Sequence, residues 1–470
     1  MSSLDTTTAV APRVARNECA RELKAMLALA LPLALTQLTQ ILVHTTEVLL
    51  LSRLGPAPLA AATLAAALFH SGLMFGVGVV SASAPLIAQA KGAQQPHLIP
   101  RIVRQGLWVS LAITLPLIGL LWFVRPLLAA MGQDPSLLPM TEAYMRWAVW
   151  GLPFAVGFIV LRSFIAAFAR TRAVLVAALG GAVVNLPVSW LLIFGGLGVP
   201  PMGTAGAGLG VSITFALMFA ILLAHCLLAE PFRRFDVMAG ILRPDFAIFR
   251  EIVQVGLPIG GAVLLEVGLF ASATLLMGLI GTAQLAAHQV ALQLASIAFM
   301  VPLGLSQAAT IRVGLAIGAG DGPRARLAGW MACGLGTVFM AVMAVLFWTQ
   351  RAYLAELFLD PSTPEGAAAL DYAYVYLRIA ALFQLVDGLQ VIGIASLRGL
   401  KDTTIPMWLA AFGYWVVGFT SCWLLAFHTS LGGTGIWLGL AFALATVGVV
   451  MVVRFDRLTR GFRSPQALAS

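Results

Sequence analysis

Residues 30–55 read ALPLALTQLTQILVHTTEVLLLSRLG, and residues 256–281 read GLPIGGAVLLEVGLFASATLLMGLIG. Both runs exceed the about 20 mostly apolar residues that a helix needs to cross a bilayer core. Each has Leu-Pro near its start, a double leucine near its end, one glutamate inside and a closing glycine. Superimposed at the offset from Leu31 to Leu257, 226 residues, they keep register: Pro32 falls on Pro258, Leu49 and Leu50 on Leu275 and Leu276, and Gly55 on Gly281. The same offset carries Leu59, Ala60 and Ala61 onto Leu285, Ala286 and Ala287, Met74 onto Met300, Gly78 onto Gly304 and Gly92 onto Gly318. Asp134-Pro135 falls on Asp360-Pro361, and at an offset of 229 Gly203, Gly206 and Gly210 fall on Gly432, Gly435 and Gly439. Apolar helices match at Leu and Ala by chance. Gly, Pro and Asp-Pro in constant register are far harder to obtain that way, so the chain is an internal duplication.

The rest of the 470-residue chain fits that frame. It is 60% hydrophobic and only 10% charged, with mean hydropathy +0.95, against roughly 25% charged residues in a soluble domain. It is an integral membrane protein. Its 46 glycines and 24 prolines lie among Leu, Ala and Val, a setting tolerated in spanning helices, which excludes disorder and collagen-like repeats. The net charge of +9 is scattered between apolar blocks rather than gathered on one surface, so nucleic acid is not an expected partner. Cys19, Cys226, Cys333 and Cys422 stand apart, with no CxxC or Cys/His cluster, so no metal or redox pair is expected. No small-residue cleavage site follows the first apolar block, and the first helix is expected to insert and stay.

Twelve apolar windows follow, near 24–52, 59–90, 101–124, 143–168, 173–195, 204–229, 252–279, 285–315, 327–349, 370–396, 404–427 and 433–453. Alternate junctions collect most of the 28 basic residues, among them Arg13, Arg16, Lys24, Lys91, Arg101, Arg104, Arg233, Arg243, Arg312, Arg398, Lys401 and Arg463; the other junctions hold Arg53, Arg125 and Arg351. The positive-inside rule then puts both termini in the cytoplasm. The chain divides into an N-terminal cytoplasmic segment (1–23), a first lobe (24–229), a cytoplasmic linker with an interfacial stretch (230–251), a second lobe (252–453) and a cytoplasmic tail (454–470). With six spans per copy, both copies enter the membrane in the same direction. The expected fold is therefore all-α, with twelve transmembrane helices in two six-helix lobes related by a pseudo-twofold axis along the membrane normal, and a cleft between them, as in alternating-access transporters.

Three carboxylates interrupt the apolar helices: Glu47, Glu266 and Asp387. A carboxylate at mid-bilayer costs about 2.5–3.5 kcal/mol even on insertion scales, so such groups face a cavity or a partner and are candidate functional residues. Under the repeat Glu266 corresponds to Gln40, Glu47 to Ala273 and Asp387 roughly to Ala155, so the acids are not part of the shared scaffold. A carboxyl in an apolar surround can hold a proton and release it on wetting or when a cation arrives, the chemistry of an ion-coupled exporter. Neither Glu266 nor Asp387 has a basic residue nearby in sequence. Asn185 and Ser189, a turn apart in VVNLPVSW, form the best polar pair of the first lobe, either as site residues or as packing groups. Met277 and Phe270 either line an adaptable apolar pocket or simply pack. No phosphate loop, nucleophile-base pair or metal cluster is present in the sequence, so an enzyme is not expected.

These residues carry a resemblance. ALPLALTQ with Glu47 beyond it, VGLPIGGAVLLEVGLF with Glu266, LFQLVDGLQVIGIASLRGLKDTTIP with Asp387 and VVNLPVSW resemble the multidrug and toxic compound extrusion (MATE) transporters, close to their NorM-like branch, from about residue 24 to 455. The resemblance implies a V-shaped central cavity and export of amphipathic, often cationic small molecules in exchange for protons or sodium. It further implies that Glu266 and Asp387 are the second-lobe cation or proton carboxylates, that Glu47 replaces an acid that is usually Asp, and that Asn185 is the first Asn of an Asn-x-x-x-Asn pair. Ser189 stands where the second Asn would be, and Phe383 where some sodium-coupled members have Tyr; both departures favour protons over sodium as the coupling ion. Gln40, Ser189, Phe383, Gln384, Met277 and Phe270 are candidate cation ligands or cavity-lining groups, with sodium, if bound, held at Glu266 and Asp387 or at Glu47 and Asn185. The expected protein is a monomer in the cell inner membrane with lipid around it and no cofactor. A flippase of lipid-linked oligosaccharide, which shares the paired lobes, is the alternative; the in-span charges here are mainly acidic, whereas such flippases tend to show extra helices and a cationic cavity.

Overall fold

The computed structural model describes the backbone of residues 11–461 and the side chains of residues 18–461. Among the described residues, twelve helices are long and apolar enough to cross a bilayer: Glu18–Ser52, Pro56–Gly92, Leu98–Trp122, Leu138–Ala167, Arg172–Phe194, Thr204–Leu228, Phe246–Ile280, Thr282–Gly318, Gly322–Glu356, Pro364–Gly399, Thr404–Phe427 and Gly433–Arg460. They coincide with the twelve expected spans and are numbered first to twelfth below. The ninth is kinked at Gln350, and three others are interrupted along their length. The second passes through a turn at Ser81–Ala82, the fourth through a 3₁₀ turn at Val149–Gly151, and the eleventh through a π-helical segment at Phe412–Phe419.

Helices reach further than the apolar windows wherever polar groups can support them. The seventh span starts at Phe246, inside the expected linker, because Asp245 caps it by accepting from the Ile248 N–H at 3.4 Å. The twelfth continues to Arg460 rather than ending at residue 453, held by Arg454 on Asp402 (2.6 Å) and Arg326 on Asp456 (2.7 Å). The helix of the first span begins at Ala11, within the expected N-terminal segment. The side chains of Arg13 and Arg16, and the tail that carries Arg463, lie outside the described residues.

The duplication is visible atom by atom. In the turn after the third span the Ser136 N–H donates to Asp134 Oδ1 at 2.9 Å; in the turn after the ninth the Ser362 N–H donates to Asp360 Oδ1 at 2.9 Å. Gly203 and Gly432 open the sixth and twelfth spans with φ of 57° and 52°, a left-handed conformation that glycine adopts without strain. Each half has its own apolar core, and the two exchange helix ends: Met26 of the first span enters the second core, while its counterpart Ile252 of the seventh enters the first.

Small residues bring the halves together in matched pairs, as expected where van der Waals contact drives helix association in lipid. A Cβ on Gly78 would lie 2.6 Å from Gly260 Cα, and one on Gly304, its counterpart, 2.6 Å from Ala34 Cα, the counterpart of Gly260. Nearer the basic ends of the second and eighth spans, a Cβ on Gly92 would lie 2.1 Å from the Leu315 carbonyl oxygen, and one on Gly318 2.1 Å from that of Gln89. These approaches fall within about 21 Å of the basic face, at 1.5 Å per residue from Gly92 back to Gly78. There Gln89 Nε2 also donates to the Gly399 carbonyl at 2.9 Å, and Arg312 of the eighth span grips Glu22 of the first, its Nε donating to Oε1 at 2.7 Å. The seam between the halves is therefore tight at the basic face.

Candidate functional site

In the second half the seventh span carries Glu266 and the tenth carries Asp387. Asp387 is buried and Glu266 half-buried. Gln390, one turn beyond Asp387, lies beside Glu266, and its amide donates to the Tyr414 hydroxyl. Tyr414 reaches the cluster from the π-helical segment of the eleventh span. Gly413 and Gly418 let that segment lie flush on the twelfth span: a Cβ on Gly413 would meet Val447 Cγ2 at 2.4 Å, and one on Gly418 would meet Ala443 Cβ at 2.5 Å. The wider π turn displaces the side chains that follow it and recurs at functional sites. Arg398, three turns along the tenth span from Asp387, lines a small cavity with Ala262 of the seventh span, one turn before Glu266. Glu266 thus has a basic residue near its end of the seventh span, although Arg398 belongs by sequence to the basic face.

Gln384, one turn before Asp387, is fully buried, and among the described residues neither of its amide atoms meets a hydrogen-bonding partner, nor does Gln390 Oε1. Two carboxyls, two amide oxygens and a phenol are therefore concentrated along one stretch of the tenth span and its neighbours. Phe383, one turn before Asp387 on the same helical face, contributes no oxygen and packs edge-on against Phe270 (6.2 Å) and Trp437 (5.7 Å). Met277 is buried, its sulfur accepting from the Tyr376 hydroxyl at 3.7 Å.

In the first half Glu47 is buried and accepts from the Tyr144 hydroxyl of the fourth span at 2.6 Å. Asn185 donates to Thr214 Oγ1 at 2.9 Å and to Ser189 Oγ at 3.3 Å, leaving its buried Oδ1 unpartnered. The first and fifth spans are neighbours, yet no hydrogen bond joins Glu47 to Asn185 among the described residues; each has its own partner. Gln40 is half-buried, without a side-chain hydrogen bond among the described residues, and one turn before it Gln37 Oε1 accepts from buried Arg162 at 3.1 Å.

Tyr144, Thr214, Gln390, Tyr414 and Arg398 are the participants that sequence reasoning did not single out. Tyr144 occurs in a stretch with no unusual pattern, and nothing local points it at a residue 97 positions away. Gln390 had a usable signal, since it lies three residues after Asp387 on the same helical face.

A duplicated, twelve-helix membrane protein with isolated acids buried in both halves defines the class of polytopic transporters. Residues 32–191 and 258–424 each match the MatE family, and the chain belongs to that family. The two matches start 226 residues apart, the offset of the repeat. The chain is 42% identical over 463 residues to a probable multidrug resistance protein NorM of Mesorhizobium japonicum, covering 98% of each chain. It is 44% identical over 440 residues to a protein of the same description from Rhodopseudomonas palustris, covering 93% of this chain and 92% of the relative. Among solved structures, the eukaryotic MATE transporter AtDTX14 superposes with a TM-score of 0.84 at 20% identity, covering 95% of this chain and 99% of that one. An outward-facing multidrug resistance MATE family transporter superposes at 0.82 and 18% identity, covering 94% and 96%. These superpositions establish the fold: two six-helix lobes related by a pseudo-twofold axis.

Proposed function

We propose that this chain is a secondary active exporter of amphipathic, often cationic small molecules, driven by inward movement of protons or sodium and working by alternating access between lobes 24–229 and 252–453. The observation that carries the reading is the presence of Glu266 and Asp387 within the spans of the second lobe, with the Gln390–Tyr414 pair one turn beyond Asp387. Two carboxyls so placed hold up to two negative charges, which protons, a sodium ion or a cationic substrate can neutralise, and which cannot stay uncompensated in low dielectric. Competition for that charge couples ion entry to substrate exit. Gln390 and Tyr414 position Glu266, and the free amide oxygens of Gln384 and Gln390 give an incoming cation further ligands.

Protons are the coupling ion we favour. Glu47 has a hydroxyl partner in Tyr144, and a proton needs only the carboxyl, whereas a sodium ion would need several further oxygens. On the positive-inside rule the basic face is cytoplasmic, with both termini on that side and the protein in the inner membrane as a monomer. Closure at Gly92 and Gly318 then corresponds to a state open to the outside. The chain's own residues bind, exclude water and move an ion; none is assigned to bond making or breaking.

The test is efflux from membrane vesicles with proton and sodium gradients imposed separately. Glu266→Gln and Asp387→Asn should each abolish driven export while the protein still inserts. Normal export by both neutral variants would overturn the assignment.

A further inference from the structure

Where the linker joins the halves, one stripe of the third span clasps it. Arg101, Arg104, Gln105 and Trp108 fall at helical spacings of three and four, and each bonds to the linker. Arg101 Nε donates to Asp245 Oδ2 at 2.9 Å, the Arg104 guanidinium to the Ala239 carbonyl, Gln105 Nε2 to the Arg243 carbonyl at 3.3 Å and Trp108 Nε1 to the Ile241 carbonyl at 2.7 Å. Between them opens a cleft of about 430 Å³ lined by Arg101, Arg104 and Arg243, with Asp245 as its one acid. That volume falls within the roughly 300–1,000 Å³ of small-molecule sites. Asp245 is engaged by Arg101, and the Arg243 side chain makes no hydrogen bond or ion pair among the described residues, so the cleft keeps net positive charge. The seventh span begins at its wall with Phe246, adding the positive end of a 35-residue helix.

The rim is apolar. Leu242 is 82% exposed, Phe246 76% and Trp108 38%, at the basic-face end of the third span, where a membrane protein meets the headgroup layer. Arginines under such a rim suit a ligand that has a phosphate and an attached hydrocarbon chain. Basic pockets of this kind bind anionic headgroups.

We propose that the cleft between the third span, residues 239–245 and the start of the seventh span is a binding site for the phosphodiester headgroup of an anionic phospholipid, with Arg104 and Arg243 on the phosphate and Leu242 and Phe246 against the acyl chains. Occupancy bridges the third span of the first lobe to the seventh span of the second.

The test uses the full-length protein in neutral detergent, reading Tm and retained lipid by native mass spectrometry during titration with phosphatidylglycerol, phosphatidylcholine or inorganic phosphate. Phosphatidylglycerol should raise Tm and remain bound, with phosphatidylcholine and inorganic phosphate doing neither. Arg243→Gln removes no side-chain hydrogen bond or ion pair among the described residues and should weaken phosphatidylglycerol binding about fivefold, the factor corresponding to about 1 kcal/mol per basic residue at an anionic surface. Arg243→Lys should retain most of the affinity. Equal responses to phosphatidylglycerol and phosphatidylcholine, or unchanged affinity in Arg243→Gln, overturn the site; equal binding of inorganic phosphate assigns the cleft to a soluble anion and overturns the lipid reading.

Discussion

Replacing Glu22 by Gln should loosen the basic-face seam by an amount that the structure allows to be worked out. Glu22 belongs to the first half and Arg312 to the second, so separating the halves there must part them. The side chains are 3% and 14% exposed. Removing one partner of a buried pair costs about 3–5 kcal/mol. Residual water access to Arg312 reduces this to about 2–3 kcal/mol, or roughly 30- to 150-fold in the closed-to-open ratio at about 1.4 kcal/mol per tenfold. Arg324 also approaches Glu22, at 3.6 Å, but is 56% exposed and contributes little. Under the repeat, Glu22 and Arg312 match Ile248 and Leu86, both buried and apolar, so this ion pair has no twin across the axis. Spin labels on cysteines introduced at exposed Gln95 and Pro323, in a Cys19→Ser background, report the separation by pulsed dipolar spectroscopy. The parent should give one short distance and Glu22→Gln a second, longer population, with Arg324→Gln nearly unchanged. An unaltered distribution in Glu22→Gln, or an equal effect from Arg324→Gln, would refute the reasoning.

Further outcomes follow from the same geometry. Gly318→Leu forces a side chain onto the Gln89 carbonyl, so it should lower Tm by several degrees and prevent the short Gln95–Pro323 distance from forming; an unperturbed protein would show that the seam yields more readily than its contacts imply. Tyr144→Phe removes the hydroxyl from Glu47 and should lower proton-driven efflux less than Glu47→Gln, which should abolish it, while Glu47→Asp retains much of it; vesicle efflux ranks the three. Strong sodium-driven efflux at collapsed proton gradient, lost on Asn185→Ala, would replace the proton by sodium at the first-lobe site. Cysteines placed near Arg243 and Lys401 should label only from the cytoplasm and one near Gly203 only from outside, with reversed labelling inverting the topology.

The spans, the duplication and the isolated acids are legible in the sequence because each rests on a local property: a run of apolar residues, a glycine or proline recurring in register, a carboxylate where none is expected. Helix ends are less legible. Apolar counting stops at the first cluster of charges, whereas the twelfth span runs on because Arg326 and Asp402, distant in sequence, neutralise Asp456 and Arg454. The surroundings of the site are least legible, since Tyr414 comes to Gln390 only through the π-helical segment, whose glycines read as ordinary small residues until the twelfth span is laid against them. Arg398 shows the same limit: its place in the chain assigns it to the basic face, and only the packing of the tenth span reveals that it comes beside Ala262, one turn before Glu266.

The contact of Gly92 with Leu315 and of Gly318 with Gln89 maps onto itself under the 226-residue offset. Such a contact does not require the two halves to be one polypeptide. Two separate copies of a six-helix ancestor, inserted in the same direction, could make it with each other around a true twofold axis, each offering one glycine and receiving the other's carbonyl. The joint that now divides one chain has the form of a homodimer interface, and gene fusion would have preserved it unchanged while freeing each half to diverge, which is where Glu47, Glu266 and Asp387, absent from their partner positions, entered.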